Sequence, residues 1–431
     1  MHRVNCGAKF PICAARALTD HSQFHSRRPT CGVKSPENEV RALSEDRRNS
    51  GVLVALGASV LSAILGSVHA FSVFLVPLEA TFGVSRTYSS LTYSIALLAL
   101  TFAVFVGPRI YGRWSPGVIV TAACLLGAVG AAVAAITPVF LGVWLGYGIL
   151  FGLANGLGYG FGLQLAAHAN PGREGIAMGV VTAAYALGAV LASYLFASAV
   201  AVSGFGLAMA GLAASLLVAL PVCIVLLESG GAKFTLPEDP TLSTLYSARM
   251  IARIWVGYGA GVAAGLMVIG HAAGIATATG YQGASWLAPV VLAICNLAGS
   301  LVLGLSLDRF PRVPFLILLP VATAIGVAGL TLGGGAFLLP LLGIVGFAYG
   351  GTIAAYPAAI IKYFGAAHSP SVYGRVFTAW GAAGLAAPWL AGWLFDWQGD
   401  YRAALLVAAG FAALSVISAM ATNLVPNQQT A

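Results

Sequence analysis

From Val52 onward the chain alternates long apolar runs with short polar breaks. A helix of about 20 apolar residues is long enough to cross the hydrocarbon core of a bilayer. Twelve such runs are predicted to span a membrane. The first six are residues 52–78, 88–107, 116–136, 139–167, 175–202 and 205–227. The second six are 251–279, 284–307, 314–332, 336–361, 372–394 and 403–424. Between the two sets lies a polar stretch containing Gly230, Gly231, Pro237, Glu238, Asp239 and Pro240. The runs are continuous rather than ten-residue alternations, which predicts helices and not a barrel. The expected architecture is an all-α membrane protein of twelve transmembrane helices in two six-helix bundles. A disordered basic cytoplasmic tail is expected over 1–50, one bundle over 51–228, a cytoplasmic linker over 229–248, and the other bundle with a short tail over 249–431.

Composition supports a lipid solvent. Hydrophobic residues make up 59% of the 431, and charged residues only 8%. A soluble domain carries about 25% charge. The 54 glycines suit helices packed closely in lipid. The net charge of +8 is spread over loops and the tail, so it does not indicate nucleic acid. The six cysteines show no metal-ligand spacing, and neither a metal nor a cofactor is expected. The tail holds nine Lys/Arg and five Asp/Glu. Its apolar stretch is too interrupted for a signal peptide, and its acidic residues argue against a transit peptide.

The basic residues also set the orientation. Numbering loops as alternating sides, one side holds Arg109, Arg113, Arg173, Lys233, Arg249, Arg253, Arg309, Arg312, Lys362 and Arg375, and the other only Arg86 and Arg402. The positive side faces the cytosol. A multi-pass protein of the cell membrane with both termini cytoplasmic is expected.

The halves repeat. A shift of 195 residues lays MGVVTAAYALGAVLASYLF, from Met178, on YGRVFTAWGAAGLAAPWLA, from Tyr373, matching Tyr185 to Trp380 and Gly204 to Gly399. A shift of 202 lays Gly57 on Gly259 and His69 on His271. Parallel repeats of this kind build transporters whose site lies between the bundles near the midplane.

Three stretches resemble the major facilitator superfamily, in particular its branch of oxalate/formate exchangers and monocarboxylate porters. They are GSVHAFSVFLVPLEATFGVSR (66–86), NPGREGIAMGVVTAAYALGA (170–189), and GFAYGGTIAAYPAAIIKYFG (346–365) with YGRVFTAWGAAGLAAPWL (373–390). The superfamily's inner-loop motif, G-x-x-x-D-R-x-x-R, is intact as Gly304, Asp308, Arg309 and Arg312, which the resemblance marks as a gate. In the first half the loop keeps Gly107, Arg109 and Arg113 but has Tyr111 in place of the Asp. Oxalate exchangers carry an Arg in the eighth helix and a Lys in the eleventh. Here Ser300 stands at the first position, and the eleventh span has no cation beyond Arg375 at its inner end. A buried dianion would lack counter-charge, so a monocarboxylate or an uncharged polar solute is expected instead.

No Asp, Glu, Lys or Arg falls mid-span. His69 and His271 are the deep ionisable groups, with His168 near an inner end. They are expected to face one cavity between the bundles, binding a carboxylate or carrying a proton. The plainer reading is a pair of neutral histidines hydrogen-bonded to backbone or hydroxyls. Asn155, Tyr159, Tyr349, Tyr356 and Trp380 are further candidates for the solute site, with Gln164 and Tyr185 nearby; each has a packing role as its alternative. Pro77, Pro357 and Pro388 interrupt spans and are candidate flex points or ordinary kinks. No nucleophile–base constellation or phosphate loop appears, so an enzyme is not expected. The expected function is secondary active transport by alternating access, driven by a proton or an exchanged anion. The alternatives are efflux of a drug-like or metabolic product, or a non-transporting sensor on the same scaffold.

Overall fold

The structure, a computed structural model, describes residues 36–235, 248–306, 313–332 and 335–423. Among these residues the chain is helical and contains no strand. It divides into Met1–Glu45 and Asp46–Ala431, and the membrane passes belong to the second unit.

Helix α1 (Pro36–Leu65) leads into a 3-10 segment (Gly66–Phe74) and then α2 (Leu75–Phe82); Asn49–Phe82 forms the first pass. Residues 36–50 were expected to be disordered and are helical instead. Their sequence carries the reason: a proline opens the helix, and Glu37 and Glu39 sit in its first turn, where the helix dipole favours negative charge. The second and third passes are α3 (Arg86–Tyr111) and α4 (Pro116–Ile136). The fourth begins as α5 (Phe140–Val143), loosens to a π-helix over Trp144–Phe151, and continues as α6 (Gly152–Ala169).

Helix α7 (Glu174–Ser229) is 56 residues long and holds two passes. It breaks at Ser203 and Gly204, where Gly204 takes φ 79°. A side chain there would be strained, so the glycine permits the reversal that the sequence places between its fifth and sixth spans.

The second half comprises α8 (Ala248–Ala278), α9 (Leu287–Ser306), α10 (Val313–Thr331), α11 (Leu338–Gln398) and α12 (Arg402–Asn423). Helix α11 also holds two passes. Trp380 Nε1 donates to Tyr349 Oη at 3.0 Å. In a straight helix these residues would lie about 46 Å apart, so α11 doubles back between them. Residues 362–371, predicted as a loop, are helical. Ten helical stretches among the described residues are long and apolar enough to cross a membrane. Counting α7 as two and adding the second arm of α11 is consistent with the twelve predicted.

Large apolar side chains line the outside, as lipid allows and water does not: Phe102, Phe105, Leu195 and Ile325 are all exposed. Small residues bring backbones together inside. At Gly66 a Cβ would run into the Tyr185 carbonyl, and at Gly188 into that of Ala63. The first and fifth passes therefore touch main chain to main chain.

Of the expected inner gate, Asp308, Arg309 and Arg312 lie outside the described residues, and Gly304 is exposed with open space around it. The equivalent Tyr111 of the first half is buried and packs on Phe161, with ring centroids 4.9 Å apart. Its hydroxyl has no hydrogen-bond partner among the described residues.

Candidate functional site

The site begins with a change of helix type. From Gly66 to Phe74 the first pass is a 3-10 helix, which winds about 20° more per residue than an α-helix. By His69, four residues in, the face has turned by roughly 80°. The change leaves the Leu65 carbonyl to be satisfied from elsewhere, and Asn155 Nδ2 donates to it at 2.6 Å. The Asn155 Oδ1 accepts from the Tyr185 hydroxyl at 3.0 Å. A buried chain of Tyr185, Asn155 and Leu65 thus ties the fifth and fourth passes to the point where the first pass changes pitch.

His69 lines a cavity of about 90 Å³ between the two halves. From the first half come His69, Tyr159, Thr182 and Tyr185; from the second come Asn296, Ser300, Tyr349, Phe377 and Trp380. The Tyr159 and Tyr185 rings lie 4.2 Å apart on one wall. On the other, Phe377 and Trp380 stack with planes 4° apart. Trp380 is held by its bond to Tyr349, and Ser300 Oγ donates to the Gly350 carbonyl at 3.0 Å. Among the described residues, no Asp, Glu, Lys or Arg side chain lines the cavity.

The histidine is oriented from behind. Its Nδ1 lies 2.7 Å from the Tyr93 hydroxyl. With the phenol O–H donating, the imidazole proton sits on Nε2, which has no hydrogen-bond partner among the described residues and remains for a solute.

His69, Tyr159, Tyr349 and Trp380 line this one cavity. Asn155 stands behind the wall and positions Tyr185. Tyr356 lies apart, beside Tyr258 (centroids 4.8 Å) and close to Gly257.

His271 corrects the expectation that both histidines face one cavity. It is fully buried; its Nδ1 lies 3.0 Å from the Tyr401 hydroxyl, and its Nε2 donates to the Pro388 carbonyl at 2.8 Å. Helix α8 is α-helical throughout, without the 3-10 turn that rotates His69. Equal depth therefore becomes a different azimuth.

Asn296, Ser300, Thr182 and Phe377 were not among the predicted site residues. Asn296 and Ser300 did carry a signal, since they sit four apart and share one face of an apolar helix. A wider groove of about 470 Å³, lined by Val291, Cys295, Leu339 and Phe347 among others, is apolar and gives a polar solute nothing to bind. Among the described residues no group of three or more His, Cys, Asp or Glu could hold a metal ion.

The cross-half hydrogen bonds among the described residues lie at one end of the cavity. Asp396 accepts from the backbone N–H groups of Arg86 (2.9 Å) and Thr87 (2.7 Å), capping the N-terminus of α3. Arg86 donates to Tyr401 and pairs with Glu79. Trp389 N–H donates to Ser94 Oγ at 3.1 Å, and Ala273 N–H to Ser72 Oγ at 3.4 Å.

No family model matches the chain. One curated relative, the uncharacterised MFS-type transporter YhjX of Escherichia coli, is 30% identical over 121 residues. That stretch is 27% of this chain and only 30% of the relative's length. Solved structures match far more of it. The nucleoside transporter NupG has a TM-score of 0.66 at 14% identity, covering 86% of this chain and 99% of its own. The xylose transporter XylE of E. coli, partially occluded and inward open, has 0.66 at 14%, covering 88% and 99%. A bacterial homologue of the human lysosomal transporter Spinster, inward-facing, has 0.67 at 12%, covering 86% and 97%. The chain is a multi-pass membrane protein with the major facilitator fold.

Proposed function

We propose that the chain is a secondary active transporter that moves a small organic solute, a monocarboxylate, by alternating access. The observation that carries this reading is the His69 cavity: both halves wall it, and it holds a single imidazole among aromatic, hydroxyl and amide groups. A charge near a helix centre costs about 2.5–3.5 kcal/mol on insertion scales. A monoanion that arrives with one proton on His69 leaves the cavity neutral; a dianion does not. The aromatic walls cover the apolar body of the solute, while His69 Nε2 and the Tyr159 hydroxyl hold its carboxylate.

The cross-half bonds at the Arg86 end support a state closed on that side. With both termini in the cytosol, the closed side is the outer one. Coupling is to a proton, or to an anion carried in exchange. The transport reading also draws on the structural neighbours, which are named as transporters.

Purified protein in proteoliposomes tests this. Radiolabelled lactate should accumulate when the outside is made acid, a protonophore should dissipate the accumulation, and oxalate should not compete. Uptake of xylose or uridine with no monocarboxylate movement would overturn the substrate class. No uptake or exchange of any solute in a broad panel would overturn transport itself.

A further inference from the structure

The Tyr93 hydroxyl does more than orient His69, because its ring lies in the seam that closes the cavity. Tyr93 is buried, and its ring stacks on Phe71 with planes 5° apart. A Cβ placed on Gly270 of α8 would stand 3.1 Å from Tyr93 Cδ1 and 3.1 Å from Pro388 Cβ, so α3, α8 and α11 meet at this point with no room to spare. The next residue, Ser94, takes the Trp389 N–H of α11. That N–H follows Pro388, whose carbonyl is held by His271. Two consecutive residues of α3 thus grip the solute-site histidine with one side chain and the opposite half with the other.

We propose that Tyr93 is the positioning residue that transmits the protonation of His69 to this outer seam. The inference rests on the transport reading for its purpose. When His69 is neutral, the Tyr93 O–H donates to Nδ1 and the imidazole proton is on Nε2. When a proton from water on the open side binds the ring, both nitrogens carry hydrogen. Nδ1–H then donates to Tyr93 Oη, and the phenol hydrogen must turn elsewhere. Among the described residues His69 is the hydrogen-bond partner of that hydroxyl. A buried donor left without an acceptor is costly, and moving α3 relieves it. The same movement draws Ser94 off Trp389 N–H and the Tyr93 ring off Gly270, which parts the seam.

The titratable groups facing His69 are Tyr93 from the second pass, Tyr159 from the fourth, Tyr185 from the fifth and Tyr349 from the tenth. The nearest charged cluster, Glu79, Arg86 and Asp396, lies about two helical turns away along α3.

The test reads the seam directly, without solute. Ser90 is buried on α3 against Gly392 of α11, while Tyr88 is exposed. In a cysteine-free background, Ser90→Cys is labelled with a bulky polar maleimide in detergent, and its rate is divided by that of Tyr88→Cys to remove the thiol's own pH dependence. The ratio should rise about threefold from about pH 7.5 to about pH 4, because burial disfavours the charged ring, and towards the roughly fivefold scale of one net hydrogen bond as protonation completes. Tyr93→Phe should flatten that rise, and so should His69→Gln, which guards against one variant failing to fold. Ser94→Ala should raise the ratio at both pH values and keep the rise. A ratio that does not change with pH in the parent, or a Tyr93→Phe protein that follows the parent, would overturn the proposal. Absence of lactate counterflow with these labelling results intact would instead count against the transport reading.

Discussion

Asn155 holds the change of pitch in the first pass, and removing it should show how much that junction is worth. The side chain is fully buried and makes two bonds across helices, to the Leu65 carbonyl at 2.6 Å and from the Tyr185 hydroxyl at 3.0 Å. Interhelical hydrogen bonds in a membrane average about 0.6 kcal/mol and reach about 1.7. Two of them set the loss for Asn155→Ala at about 1.2–3.4 kcal/mol. The assay is reversible unfolding in mixed micelles, run as a cycle with Tyr185→Phe. Alone, Tyr185→Phe should cost about 0.6 kcal/mol; on the Asn155→Ala background it should cost close to nothing, because its acceptor is already gone. An equal cost on both backgrounds would refute the shared network. So would an Asn155→Ala protein as stable as the parent.

Three further predictions concern the cavity and its walls. His69→Ala should abolish proton-driven lactate uptake, whereas His271→Ala should lower unfolding stability by about 1–2 kcal/mol and leave lactate affinity within about twofold, as read by denaturation and equilibrium binding. Trp380→Phe keeps the ring stack but loses the donor to Tyr349; lactate should bind about threefold more weakly by calorimetry, one membrane hydrogen bond's worth. Gly66→Ala forces a methyl into the Tyr185 carbonyl, so the protein should elute as aggregate in size-exclusion chromatography, while Gly179→Ala, a helical position with open space around it, should elute as the parent does.

The passes were legible because lipid imposes a length and a polarity that few other environments demand. The break at Ser203 and Gly204 falls in the gap between the fifth and sixth predicted spans. The connection in α11 was not legible, since polar residues read as a break whether or not their backbone stays helical. His69 stood out as an ionisable group in an apolar run, and the structure places it in the cavity. His271 stood out equally and is elsewhere. Sequence position fixes depth along a helix but not the direction a side chain faces, and nine residues of 3-10 winding in one pass and none in the other were invisible in composition. Ser300 read as a missing cation site, although it and Asn296 supply polar wall.

The absence of Asp, Glu, Lys and Arg from the cavity lining also has an electrical consequence. A potential of about 100 mV acts on each elementary charge with about 2.3 kcal/mol. On the proposed transport reading, with His69 neutral, the empty protein presents no charged side chain in this cavity for that potential to push. Under that reading, the return step of the empty protein draws no work from the potential through this cavity.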